Sequence, residues 1–154
     1  MNHWLFKSEP DTFGIEHLAR LPKQRTPWDG VRNYQARNML RDNVKQGDLG
    51  LFYHSSCELT GVAGIVEVVK EGYPDATAFE PKHHHYDPDS KRDDPRWYVV
   101  DVKLVRPTRR IIPLIELRAH ANKALRDLIL LRRGNRLSVM PVTKKEWDFI
   151  LSLE

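Results

Sequence analysis

Between residues 28 and 37 the chain reads Trp28-Asp29-Gly30-Val31-Arg32-Asn33-Tyr34-Gln35-Ala36-Arg37. An indole sits in a loop punctuated by proline and glycine, followed by an amide, a phenol and two guanidinium groups. Aromatic faces stack on bases and basic groups hold phosphates, so this mixture suits the mouth of a nucleobase pocket. Asn33, Arg37, Arg41 and Lys45 recur every four residues. On a helix they would share one face, as a solvated strip or as phosphate contacts. Tyr34, Tyr53 and Trp97, like Trp28, stand where a strand ends, a loop turns or a helix begins.

Other combinations carry less chemistry. His54 and Cys57 lie three apart, but a cysteine nucleophile needs a positioned base and an orienting third group, which spacing alone does not supply. His83-His84-His85, with Asp87 and Asp89 nearby, are candidate metal ligands. Adjacent side chains of an extended loop alternate in direction, so a solvated loop is expected there, with neither metal nor cofactor. Gly61-Val62-Ala63-Gly64 lacks the Lys-Ser/Thr that would follow in a phosphate-binding loop.

These residues need elements to position them. His3 to Lys7 alternates as a strand, ended by Ser8-Glu9-Pro10-Asp11. Ile15 to Leu21 supplies two helical turns stopped by Pro22, and a polar loop, Lys23 to Pro27, delivers Trp28. Ala36, Met39, Leu40 and Val44 form an apolar stripe that predicts one helix from Asn33 to about Val44. Asp48–Tyr53 and Thr60–Val69 read as strands, with Gly61 and Gly64 marking a bend or a close backbone approach. Glu71 to Asp94 is one long excursion. Arg96–Arg106 is a strand whose Trp97 shares a face with Asp101 and Lys103, which places it outside the central core. Short helices at Leu114–Arg118 and Asn122–Leu130, a strand at Leu137–Pro141 and a helix from Thr143 to Leu151 follow. The last opens on a capping box, Thr143 with Glu146. With no repeat and no linker, five or so strands among helices predict a single α+β domain over residues 1–154, built on a small curved or barrel-like sheet.

The totals narrow the class. A net charge of +4 and a sequence pI near 9.3 are compatible with a polyanion partner without requiring one. The single cysteine excludes an internal disulfide. No apolar run approaches the about 18 residues of a membrane helix, and the N-terminus lacks the pattern of a secretion signal. The expectation is an intracellular protein with no membrane partner.

Trp4-Leu5-Phe6-Lys7-Ser8-Glu9-Pro10 and Trp28 through Asn38 resemble the signature of EVE-domain proteins. So do Phe52-Tyr53-His54-Ser55, Tyr73-Pro74-Asp75, Pro95-Arg96-Trp97 and Leu137-Ser138-Val139-Met140-Pro141, in order across residues 3–153. The resemblance implies a PUA-like fold, a mixed β pseudobarrel flanked by helices and related to YTH readers of methylated RNA. It also implies recognition of a modified, flipped-out base in DNA or RNA. By similarity, Lys7, Ser8, Trp28, Asp29, Tyr53, His54 and Ser55 line the pocket, with Asn33, Trp97 and Ser138 in or beside it. Arg32 and Arg37 fall at the rim. Arg41 and Lys45, from the helix pattern, extend the expected backbone contact. His85 and Gly14 depart from the family pattern. The family's eukaryotic members carry a basic N-terminal extension, so the expectation is a stand-alone, monomeric, bacterial cytoplasmic domain. The rival reading is a PUA-like hydrolase of a modified nucleoside, with Lys7 and Glu9 as base and acid. A third is a protein-interaction module that meets an acidic partner.

Overall fold

In the computed structural model, which describes residues 1–154, the strand predicted at residues 3–7 is β1 (His3–Ser8). Leu5 and Phe6 point to opposite faces of β1, and both are fully buried because the strand lies inside the sheet. β1 pairs parallel with β3 (Leu49–His54) and antiparallel with β6 (Val139–Val142). β3 pairs antiparallel with β4 (Gly61–Pro74), β4 with β5 (Tyr98–Pro113), and β5 with the short edge strand β2 (Arg25–Pro27). The order is β2-β5-β4-β3-β1-β6, a mixed sheet within an α+β fold.

Register shifts in the β3–β4 pair and at several points along β4–β5 coil this sheet around a cluster of 30 buried apolar residues. The close approach expected at Gly61 is present: a Cβ there would lie 2.2 Å from the Ile112 carbonyl oxygen. β5 outruns its predicted end at Arg106. Pro107 falls at one of the register shifts, where its missing N–H costs little, and Ile112 resumes pairing with Val62.

Two predicted helices differ. α1 (Pro10–Phe13) and α2 (Ile15–Arg20) precede β2, and α3 covers only Tyr34–Asn38, capped by Asn33 Oδ1 accepting from the Ala36 N–H at 2.9 Å. The chain then widens into a π turn over Met39–Asn43, with the Val44 N–H reaching back to the Met39 carbonyl. This buries Leu40 and Val44 together. The added residue breaks the four-residue recurrence of Arg37, Arg41 and Lys45. After α4 (Leu114–Arg118), the helix predicted at Asn122–Leu130 is instead a series of turns ending in a 3-10 turn at Ile129–Leu131. Leu125 and Leu128, its buried apolar residues before that turn, lie three apart, a spacing that three-residue turns satisfy. α5 (Lys144–Ser152) carries the predicted capping box, Thr143 N–H to Glu146 Oε1 at 2.9 Å and Glu146 N–H to Thr143 Oγ1 at 3.2 Å. No helix is long and apolar enough to cross a membrane.

Candidate nucleic-acid interface

β2 leads directly into Trp28, whose N–H donates to the Val100 carbonyl at 2.8 Å. The indole is gripped edge-on by Phe6 and Phe52, with ring centroids 5.3 and 5.4 Å away, and by Phe13 at 6.4 Å. Only 6% of Trp28 is exposed, and it borders a cavity of about 250 Å³. Ser8 and Asp29, both expected at the pocket, line the same cavity, joined by Phe13 and the histidine triplet. Ser8 Oγ donates to the Phe13 carbonyl at 2.5 Å. Asp29 sits at the rim, where burial raises its carboxyl pKa against the opposing pull of His85.

The Trp28 loop is held from below by Asp75, whose side chain is 1% exposed. Asp75 accepts from the Gly30 N–H (3.0 Å), the Thr77 N–H and hydroxyl (3.0 and 2.6 Å) and Arg32 Nη1 (3.0 Å). Burial favours its neutral form, but these bonds outweigh it and hold the carboxyl below the usual aspartate range. Gly30 adopts φ +78°, and a Cβ there would fall 2.4 Å from the His85 ring. Glycine is required on both counts.

The basic residues expected at the rim are placed differently. Arg32 bridges Asp75 to the His85 carbonyl, to which Nη2 donates at 2.7 Å, so it staples two loops instead of standing free. Arg37 donates to the Arg96 carbonyl at 2.6 Å and to Asn38. Arg41 is forked onto Asp42, and Lys45 lies 3.9 Å from Glu71. Trp97 is buried yet outside the main apolar cluster, as its face-sharing predicted. Its ring is stacked on Tyr34 at 4.9 Å, overlain by the Arg32 guanidinium at 5.3 Å and anchored through Nε1 to Asp87 at 2.6 Å. It does not line the Trp28 cavity.

A second cavity lies on the other side of β1. Side chains alternate along a strand, so Lys7 faces away from Ser8. Lys7 and its register partner Tyr53 line a cavity of about 490 Å³ with Arg118, Arg132, Arg133 and Asn135. None of these four cations has a carboxylate within 4.0 Å. Burial lowers the Lys7 pKa, and it pushes the Tyr53 phenol up to about 12 against the Arg118 charge. The arginines were missed from sequence; the basic run Arg132-Arg133-Gly134-Asn135-Arg136 was the available signal.

The remaining expected residues support the strands. His54 is buried, its Nε2 accepting from the Ile15 N–H at 3.1 Å, and burial lowers its pKa. It borders a third cavity, with Ile15 and Thr108. The Ser55 N–H donates to the Ser8 carbonyl and the Lys7 N–H to the Ser138 carbonyl, which fixes the end of β1. Asn33 caps α3. Glu9, the acid of the hydrolase reading, is exposed and lines neither the Trp28 nor the Lys7 cavity.

The histidine triplet corrects an expectation. His83 to Tyr86 form a turn, closed by the Tyr86 N–H to the His83 carbonyl at 3.0 Å, so the three side chains do not alternate as in an extended loop. One ring nitrogen from each lies within 4.8 Å of the others.

The curved mixed sheet with two cavities at the end of β1 belongs to a known class: the chain is a member of the EVE-domain family, whose profile matches residues 2–153. Human thymocyte nuclear protein 1 is 51% identical over 168 residues, covering 99% of this chain and 74% of that protein. A crystal structure of the human THYN1 protein in complex with DNA containing 5-methylcytosine superposes with a TM-score of 0.95 at 48% identity, over 99% of this chain and 97% of that one. A crystal structure from Pseudomonas putida gives a TM-score of 0.92 at 47% identity, over 98% of both chains.

Proposed function

We propose that this protein is a reader that takes a modified, flipped-out base of a nucleic acid into the Trp28 cavity. The observation that carries the reading is the pairing of a rigid aromatic cavity with an unpaired basic one, back to back across Ser8 and Lys7. Trp28 and Phe13 offer apolar wall, and Ser8 and Asp29 offer hydrogen-bonding groups to a base edge. Lys7, Arg118, Arg132 and Arg133 offer charge to the phosphates that flank it. The human THYN1 complex supports DNA containing 5-methylcytosine as the first ligand to try. RNA is the second.

We further infer that residues 1–154 work as one domain, from the single apolar cluster that its elements share. The relatives do not fix a compartment: thymocyte nuclear protein 1 recurs among them, and a Pseudomonas putida protein stands beside it.

Fluorescence anisotropy with matched methylated and unmethylated oligonucleotides, single- and double-stranded, tests the reading. Tighter binding of a modified strand is expected. Equal binding of modified and unmodified strands would remove the reader function, and no binding at low salt would favour a protein partner.

A further inference from the structure

The histidine triplet is the one feature of the Trp28 cavity that base recognition does not explain. His83 and His85 are half-buried and His84 is exposed, and all three line the cavity with Asp29. A zinc-type ion bound by imidazoles takes nitrogens at about 2.0–2.1 Å, which places the nitrogens of a tetrahedral set about 3.3 Å from one another. With every pair already within 4.8 Å, small ring rotations, easiest for His84, close the set.

The surroundings orient the rings as metal sites orient theirs. Thr77 Oγ1 donates its proton to Asp75 at 2.6 Å, so at its 3.5 Å contact with His85 Nδ1 it is the acceptor. The tautomer that uses this contact carries its proton on Nδ1 and leaves the Nε2 lone pair of His85 for a ligand, with a carboxylate behind the hydroxyl. Arg32 fixes the backbone of His85, and Gly30 leaves room for its ring. His83 Nδ1 accepts the His85 N–H at 3.0 Å, so an ion held through Nδ1 displaces that amide, and one held through Nε2 requires the other tautomer and opens the same bond.

We propose that His83, His84 and His85 bind one divalent first-row transition ion of the zinc class at the Trp28 cavity. Three imidazoles leave a coordination position for water, for the Asp29 carboxylate or for a ligand in the cavity. The site stands whether or not the cavity accepts a base, because its ligands come from the protein alone.

The test is Zn²⁺ titration of untagged, metal-stripped protein by calorimetry, with Co²⁺ absorption as a second readout. One ion per chain is expected, with binding at least tenfold weaker in His84→Ala and lost when all three histidines become alanine. Thermal melts of the variants check that the fold is kept; the exposed His84→Ala serves if the triple variant melts early. Absence of Zn²⁺ binding overturns the proposal. Unchanged binding in His84→Ala and in the triple variant also overturns it, since the ion would then rest on the other histidines.

Discussion

Ser8 and Lys7 are neighbours on one strand, yet their side chains open onto cavities made of opposite materials. On the Ser8 side nearly every group is held: Trp28 by three phenylalanines, its loop by Asp75, and the facing turn by Arg32. On the Lys7 side four cations line the cavity with no carboxylate close by. A wall that distinguishes one base from another needs fixed geometry, whereas a surface that holds phosphate needs charge and tolerates mobile side chains. The arginines next to Trp28 in sequence therefore serve the rigid side as structural braces. Apart from Lys7, the free charge comes from Arg118, Arg132 and Arg133, far along the chain.

The comparison breaks most visibly on its rigid side. Trp28→Ala should destabilise the protein by about 3–5 kcal/mol, because it empties the centre of an aromatic cluster. Urea unfolding measures this, and a loss under about 1 kcal/mol would mean that the indole is not anchored as described. Binding by that variant then reports folding as well as stacking, so smaller changes are needed to probe selectivity.

Asp75→Asn should also be costly, since it leaves Arg32 with only carbonyl partners and weakens the acceptor for the Gly30 N–H. Its pH signature is separate. A carboxyl held below its unfolded value stabilises fully above about pH 4 and loses that contribution as pH falls through the lower folded value. Acid unfolding of the wild type should contain this component, and Asp75→Asn should lack it.

On the charged side, Lys7→Met should weaken modified and unmodified oligonucleotides alike and reduce the salt slope by about 1. Asp29→Asn should leave the slope unchanged and alter the preference between the two. The smallest effect is expected at Arg41→Ala and Lys45→Ala. Both cations lie on the surface beside their own carboxylates, so stability should move by no more than about 0.5 kcal/mol.

Much of the sheet was legible in the sequence, because β1, β3, β4 and the start of β5 carry their burial as apolar alternation or runs. β2 was not, since Arg25-Thr26-Pro27 is polar and becomes a strand only by pairing with β5. The π turn at Met39–Asn43 hid inside an apolar stripe that an α-helix would also produce. Within the site, Trp28 was found as a local signal, whereas Ser8 and Asp29 came from the family resemblance. The Arg32–Asp75 bridge spans 43 residues and leaves no local trace. The histidine turn was misread because alternation holds only for extended chain, and Arg118, Arg132 and Arg133 meet Lys7 only after α4 and the turns beyond it fold back over β1.

The most direct test of this division is the affinity ratio of methylcytosine-containing to unmodified DNA at one salt concentration, measured for wild type, Lys7→Met and Asp29→Asn. The account predicts a ratio above one in the wild type, kept by Lys7→Met despite weaker binding and changed by Asp29→Asn. A ratio of one in the wild type, or a ratio altered by Lys7→Met and kept by Asp29→Asn, would contradict it.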